Sequence, residues 1–317
     1  MTVGIERIYK YVFGPVSSRR LGVSLGVDLV PHKTCTLNCV YCECGKTTHL
    51  TIKRDSYVPV REVQEELAAF LSTNPKLDFI TFSGSGEPTL NKEIGKVIRF
   101  LKTNFPQYKI ALLTNGTLFY QPRTIKDILD VDLVKISIDA PTKEIFYKIN
   151  RPHPKLDFAT IMEGLVLLRK EFKNEMLAEI FIVPGINDTE AELRKIKQIL
   201  SRISPDRIQL NSLDRPGTES WVKSVDKKYL TEITSYLYDA EVIDSSSLLQ
   251  SNQAIVKDYY NRLLMTIKRR PVTPEDISQL TGIQLDKVRN YLETLIKDGK
   301  IEKKDMPRGI FYQIKNK

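Results

Sequence analysis

The sequence lacks long apolar segments, and histidine is scarce in it. No apolar run approaches the roughly 20 residues that a membrane-spanning helix needs, and the first residues lack the basic region and apolar stretch of a secretory signal peptide. We therefore expect a cytoplasmic protein without membrane contact. The three histidines, His32, His49 and His153, are scattered along the chain, and we interpret each as structural.

Cysteine is also rare, and its placement is informative. All four cysteines lie between positions 35 and 44 of a chain of 317 residues. A disulfide scaffold would spread its cysteines through a small secreted chain, so this clustering favours metal or redox chemistry. Cys35, Cys39 and Cys42 have the spacing CxxxCxxC. Three thiolates can bind three irons of a cubane cluster, which leaves the fourth iron open to a substrate or cosubstrate.

The alternative for these residues is a tetrahedral zinc ion held by all four thiolates. Zinc ligands usually come as two separated pairs, whereas a single residue separates Cys42 from Cys44 here. We therefore favour the cluster. Cys44 is interpreted as a small buried thiol without a role, although tuning of the cluster, metal binding and redox chemistry stay open for it.

The apolar pattern predicts an α/β fold. Predicted strands at 23–30, 79–82, 110–113, 133–138, 177–183 and 207–210 alternate with predicted helices at 61–71, 92–102, 124–129, 159–171 and 190–202. Strands that are apolar on both faces and are joined by helices form a parallel sheet. We predict a partial (β/α)6 TIM-like barrel over residues 1–212, including an N-terminal extension. A doubly wound open sheet fits the same alternation.

The rest of the chain is predicted to form a connector and a small second domain. In the connector, residues 213–253, we expect Trp221 to pack against the barrel. Residues 254–317 carry a net charge of +6. Their pattern of helices at 254–268, 274–280 and 285–297, with strands at 301–304 and 310–314, predicts a winged helix-turn-helix domain.

A winged helix typically contacts DNA with the second helix of its turn and with its wing. We expect Lys287, Arg289 and Asn290 to point outward from that helix. The cations expected on the wing are Lys303, Lys304 and Arg308. Protein recognition or self-association is the alternative use of such a domain.

Polar residues follow the second, third and fourth predicted strands, where the chemistry of a barrel is located. Gly84 and Gly86 allow the backbone to approach a ligand closely, and Glu87 places a carboxylate beside them. Alternation along a strand puts three polar side chains on one face of the fourth strand. The residues expected to line a ligand site are Gly84, Ser85, Gly86, Glu87, Thr114, Asn115, Lys135, Ser137 and Asp139. Arg19 and Arg20, before the first strand, fit an anion site and surface ion pairs equally well.

The segments GPVSSRRLG, CTLNCVYCECG, FSGSGEPTL, LLTNGTL and VKISIDAP resemble the radical S-adenosylmethionine (SAM) superfamily. Within it the chain is most similar to uncharacterised Fe–S oxidoreductases related to pyruvate formate-lyase activating enzyme and wybutosine-forming enzyme. The resemblance implies a [4Fe–4S] cluster on the three cysteines of the motif and SAM as a second cofactor. It also implies that Tyr41 lies near the adenine and that segment 84–87 receives the methionyl ammonium. Thr114, Asn115 and the residues of the fourth strand would hold the carboxylate and ribose.

The resemblance implies an enzyme that reductively cleaves SAM to a 5′-deoxyadenosyl radical and abstracts hydrogen from a substrate. A protein or an RNA is the candidate substrate, and a flavodoxin or ferredoxin is the expected electron donor. No catalytic side chain is assigned. The alternative is an iron–sulfur sensor that regulates DNA through the winged helix. Such a sensor has no need of polar segments at three strand ends, so we favour the enzyme.

Overall fold

The computed structural model describes residues 9–18, 20–238, 240–243, 263 and 266–315. In chain order its strands are β1 Val12–Ser18, β2 Gly22–Asp28, β3 Thr34–Cys35, β4 His49–Leu50, β5 Phe79–Ser83, β6 Lys109–Thr114, β7 Leu133–Ser137, β8 Glu175–Phe181, β9 Arg207–Asn211, β10 Glu241–Val242, β11 Ile301–Met306 and β12 Gly309–Ile314. The helices are α1 Val60–Leu71, α2 Ile94–Asn104, α3 Pro122–Lys126, α4 Lys143–Ile149, α5 Phe158–Glu171, α6 Glu190–Ile203, α7 Lys227–Thr234, α8 Pro274–Thr281 and α9 Leu285–Lys297.

One sheet of eight strands, in the order β1-β2-β5-β6-β7-β8-β9-β10, forms the centre of the molecule. From β2 to β10 every neighbouring pair is parallel. The predicted partial barrel is confirmed, because the six expected strands are β2 and β5 to β9. Residues such as Leu25, Ile80 and Leu112 are fully buried in the main apolar core. Because these strands are parallel, their carboxyl ends lie along one rim of the sheet. We call this rim the mouth; it is formed by the ends of β2 and β5 to β9 and by the residues that follow them.

Three elements extend the predicted pattern. β1, in the predicted N-terminal extension, pairs with β2 as an antiparallel hairpin. β10 lies within the predicted connector and pairs with β9, so part of the connector completes the sheet. α4 was not predicted, because its seven residues are too few to show helical periodicity clearly.

The connector is not packed on the barrel through Trp221, as we had expected. Trp221 is 45% exposed, whereas its neighbour Val222 is buried in a cluster with Leu213 and Phe181. The smaller apolar side chain fills the interface, and the indole remains at the surface. The predicted role of Trp221 is therefore wrong.

The C-terminal unit, residues 263 and 266–315, has a core of its own. α8, α9 and the β11–β12 hairpin occur close to their predicted positions, and Val288, Leu292 and Ile301 are buried between them. Thr273 and Asp276 form a capping box at the start of α8. Most of the predicted helix 254–268 lies outside the described residues, so the winged-helix assignment stays a prediction. Among the helices of the described residues, none has the length and apolar character that crossing a membrane requires.

Candidate active site

The cysteine loop follows β2 and lies against the turn after β5. The backbone N–H of Glu87 donates to the carbonyl of Thr34 over 3.0 Å. A Cβ atom on Gly86 would lie 2.3 Å from the same carbonyl oxygen, so only glycine allows this approach. The structure thus brings the cysteine motif and the predicted segment 84–87 together at the mouth.

Each of the three motif sulfurs accepts a hydrogen bond from a different N–H donor outside the loop 35–44. The pairs are Lys33 Nζ to Cys42 at 3.1 Å, Asn150 Nδ2 to Cys39 at 3.4 Å and Asn115 Nδ2 to Cys35 at 3.6 Å. Donors to ligand sulfurs are the usual second layer of an iron–sulfur site, where they orient the ligands and adjust the potential.

Cys44 differs from the three motif cysteines. Its thiol donates to the carbonyl of Gly84 over 3.9 Å and also contacts Cys42. Among the described residues, no group of three or more His, Cys, Asp or Glu side chains converges so as to hold one metal ion. Each motif sulfur thus has a donor from outside the loop, whereas Cys44 bonds to Cys42 within the loop and to the turn after β5.

The environment makes the three motif thiols unequal. Burial raises the pKa of Cys35 to about 12 and also raises the pKa of Cys39. The pKa of Cys42 is lowered, first by the hydrogen bond from Cys44 and then by Lys33. Cys42 is therefore the motif sulfur that the protein itself holds most readily as a thiolate.

The carboxylate of Glu87 joins the turn after β5 to the end of β6. It accepts hydrogen bonds from the Thr89 backbone N–H (3.0 Å), the Thr89 hydroxyl (2.6 Å), the Thr114 hydroxyl (2.7 Å) and the Asn115 backbone N–H (2.9 Å). Burial raises its pKa. Because a carboxylate has about four acceptor positions, these donors nearly saturate Glu87. Its carboxylate therefore links the turn after β5 to the end of β6 through hydrogen bonds.

Asp139, just beyond the end of β7, organises the opposite side of the mouth. It accepts hydrogen bonds from the Tyr41 hydroxyl, from Asn150 Nδ2 (3.0 Å) and from the Phe181 backbone N–H (2.9 Å). The ring of Tyr41 stacks on that of Phe181 with centroids 3.9 Å apart. Burial raises the pKa of Asp139. Since Asn150 also donates to Cys39, one hydrogen-bonded path joins the cysteine loop to the ends of β7 and β8.

Lys135 and Ser137 lie within β7. Lys135 Nζ is 2.8 Å from Glu179 Oε1, and Arg20 pairs with the same carboxylate. This cluster of two cations and one anion is largely buried. Arg20 thus forms an internal ion pair, while Arg19 lies outside the described residues. Ser137 is half-buried, opposite Glu179 in the β7–β8 register.

The C-terminal unit is attached to the mouth by buried ion pairs. Asp276 Oδ2 lies 2.7 Å from Arg215 and 2.9 Å from Arg308. Arg308 is also 3.4 Å from Asp214. Arg269, at the other side of the unit, pairs with Asp28 at the end of β2 over 2.9 Å. The unit therefore contacts both the β2 side and the β9 side of the open sheet.

This attachment corrects one part of the wing prediction. Arg308 points inward to two carboxylates instead of outward to a phosphate, and Met306 beside it packs on the apolar cluster at the mouth. Lys287, Asn290 and Lys303 are exposed as expected, and the exposed Arg289 lies 3.5 Å from Glu275. The tip of the β11–β12 hairpin is thus part of the barrel interface.

Two contributors to the site were missed from the sequence. Lys33 precedes the motif by two residues, and its nearness to Cys35 was the available signal. Asn150 follows the unpredicted helix α4 and is 111 residues away from Cys39, so no local pattern marks it.

Comparison with known proteins agrees with this geometry. The family model described as "Radical SAM superfamily" matches residues 29–196, which include the cysteine loop and β5 to β8. A second model, described as "FaeA-like protein", matches residues 252–312. The first match covers more than half of the chain, and the second is confined to its C-terminal part.

Similar sequences include a Brachyspira hyodysenteriae protein described as GTPase Obg, 35% identical over 96% of this chain, and a Methanocaldococcus jannaschii UPF0026 protein, 31% identical over 95%. The chain covers 45% of the first relative and 94% of the second. A radical SAM methyltransferase from Sphaerobacter thermophilus has a similar fold, with a TM-score of 0.56, 16% identity and coverage of 69% of this chain and 64% of that one. The chain belongs to the radical SAM superfamily, whose cofactors are a [4Fe–4S] cluster and SAM.

Proposed function

We propose that the chain holds its [4Fe–4S] cluster on Cys35, Cys39 and Cys42 and uses it to cleave SAM during the modification of a macromolecular substrate. The observation that carries the proposal is the set of three separate N–H donors, one to each motif sulfur. When bound, the cluster and SAM supply one-electron cleavage of SAM and hydrogen abstraction from the substrate. The protein supplies position and exclusion of water.

SAM is proposed to lie between the turn after β5 and the ends of β6 and β7. Gly84, with a φ of +108°, and Gly86 let the turn after β5 pack closely on Asp28 and on the Thr34 carbonyl, and the methionine part of SAM is proposed to lie along the backbone of this turn. Ser85 lies between them, and the predicted contact of Glu87 with the ammonium is proposed to be indirect, because Glu87 holds Thr114 and Asn115 in place.

The ribose and adenine of SAM are assigned to the other side of the mouth. Asp139 fixes the Tyr41 ring, which is proposed to lie beside the adenine. Ser137 and Lys135 on β7 are the side chains proposed to reach the ribose and the carboxylate. Lys135 can do this while it still donates to Glu179, because an ammonium group has three N–H donors.

The substrate is proposed to be a protein or an RNA that the C-terminal unit presents to the mouth. Residues 255–317 carry a charge of +6, which suits an RNA or an acidic protein surface. The unit is attached through Asp276 and Arg269, so a molecule on its exposed face would be held at a fixed distance from the cysteine loop. An electron carrier of the flavodoxin or ferredoxin type is proposed as the physiological reductant.

The iron–sulfur regulator is the less favoured function. A DNA-binding wing needs free cations at its tip, whereas Arg308 there is engaged by Asp276 and Asp214. The polar network of Glu87, Asn115 and Asp139 at the mouth also has no use in a sensor. Both observations favour an enzyme.

The test is SAM cleavage by the whole chain. The protein is reconstituted anaerobically with iron and sulfide, reduced with dithionite and mixed with SAM, and 5′-deoxyadenosine is measured. We expect 5′-deoxyadenosine only when cluster, reductant and SAM are all present. A reconstituted [4Fe–4S] protein that binds DNA in a cluster-dependent manner and yields no 5′-deoxyadenosine would instead support the regulator.

A further inference from the structure

Lys33 is a buried lysine whose side chain ends at the cysteine loop. It is 3% exposed, and its backbone has a φ of +58°, a conformation that residues other than glycine seldom adopt. Its N–H donates to the carbonyl of Ser85 over 2.8 Å, and its own carbonyl accepts from Thr48 and His49. Bonds on both sides of the residue thus hold this unfavourable backbone and direct the side chain inward.

The ammonium of Lys33 is directed at sulfur. Nζ lies 3.1 Å from Cys42 Sγ. Burying a cation is costly unless negative charge compensates it, and the group that Lys33 Nζ contacts is the sulfur of Cys42, a proposed cluster ligand. The position of Lys33 is therefore explained by negative charge on the cysteine loop.

The other two sulfur donors lack this charge. Asn115 and Asn150 are neutral amides, and each also has an oxygen partner, Thr36 for the first and Asp139 for the second. Lys33 is therefore the charged member of the three donors. A neutral donor and a cation act differently on a redox centre, because only the cation interacts strongly with the centre's net charge.

We propose that Lys33 is a positioning residue that raises the reduction potential of the cluster and so eases its one-electron reduction. This rests on the proposed function, since it requires a cluster on the three motif cysteines. Reduction adds one electron from an external reductant and makes the cluster more negative by one charge. A cation against a ligand sulfur stabilises the more negative state more strongly, so the potential rises. Lys33 itself gains and loses no bond.

The test is a potentiometric titration of the reconstituted protein without SAM. The EPR signal of the reduced cluster is measured at each potential. The variants are Lys33→Met, which removes charge and donor, Lys33→Gln, which removes the charge only, and Lys33→Arg, which keeps the charge. Lys53→Met is the matched control, because Lys53 is a surface residue with a side chain 77% exposed. We expect Lys33→Met and Lys33→Gln to shift the potential to more negative values. Lys33→Arg should shift it less, and Lys53→Met should leave it unchanged.

Iron and sulfide content separate the possible failures. Suppose that Lys33→Met or Lys33→Gln contains the full cluster and has the same reduction potential as the wild-type protein. This result would overturn the proposal for Lys33 and leave the proposed function intact. If both variants lost the cluster and Lys33→Arg kept it, the cation would serve cluster assembly, and the proposal about the potential would also be wrong. Absence of a [4Fe–4S] cluster from the wild-type protein would count against the proposed function itself.

Discussion

The mouth of the barrel and the attachment of the C-terminal unit are both buried and polar, but they are stabilised differently. At the mouth, Glu87 and Asp139 are carboxylates saturated mainly by neutral donors, namely backbone N–H groups, hydroxyls and an amide. At the attachment, Asp276 is shared by two guanidinium groups. Burial therefore raises the pKa of Glu87 and Asp139, whereas the arginines keep the pKa of Asp276 below its usual value despite its burial.

This difference suits the two regions to different tasks. Neutral donors fix the geometry of Glu87 and Asp139 without placing a cation against either carboxylate. Buried ion pairs are strongly destabilising when one partner is removed, so they define a single docked arrangement. The following predictions test this comparison, beginning with the largest expected effect.

The first prediction separates the motif cysteines from Cys44. Cys39→Ala should lose the cluster and all SAM cleavage, because one iron loses its protein ligand. Cys44→Ala should keep both, since the Cys44 thiol bonds only within the loop and to Gly84. Iron and sulfide content and the visible absorption of the cluster measure this directly. Loss of the cluster in Cys44→Ala would show that the ligand assignment is wrong.

The second prediction concerns the attachment. Asp276→Ala removes the carboxylate that Arg215 and Arg308 share, and breaking a buried pair of this kind costs about 3–5 kcal/mol. We expect a lower free energy of unfolding and faster hydrogen exchange in α9 and the β11–β12 hairpin as well as in α8, where Asp276 also forms the helix cap. Asp286→Ala is the control, because its side chain on α9 is 95% exposed. Equal exchange rates in the two variants would mean that the ion pairs do not hold the unit.

The third prediction concerns the neutral network at the mouth. In Asp139→Asn one oxygen becomes an NH2 group, so either the Phe181 N–H loses its acceptor Oδ1, or the Tyr41 hydroxyl and the Asn150 amide lose their acceptor Oδ2. An unsatisfied buried donor costs about 1–3 kcal/mol, so SAM should bind to the reconstituted protein roughly 10 to 100 times more weakly. Calorimetric titration with SAM measures the change, and the exposed Asp130→Asn is the control. Unchanged affinity would remove Asp139 from the proposed SAM site.

Much of the barrel could be predicted because its signals are local. The parallel strands are continuous apolar runs, such as residues 79–82, and turns and polar residues separate them from the helices. The short elements β10 and α4 were not predicted, because a strand of two residues or a helix of seven carries too little periodicity. Trp221 was misjudged because an apolar residue indicates burial only on average.

The candidate site divides in the same way. The sequence alone determined the cysteine motif, the glycines of segment 84–87 and the cap of α8, because each depends on residues a few positions apart. Only the tertiary structure decided which donor serves each sulfur and that Arg308 points inward, because the partners come from elements distant in the chain. Spacing along a chain reports local backbone geometry, whereas the partner of a buried charge is set by which elements pack together.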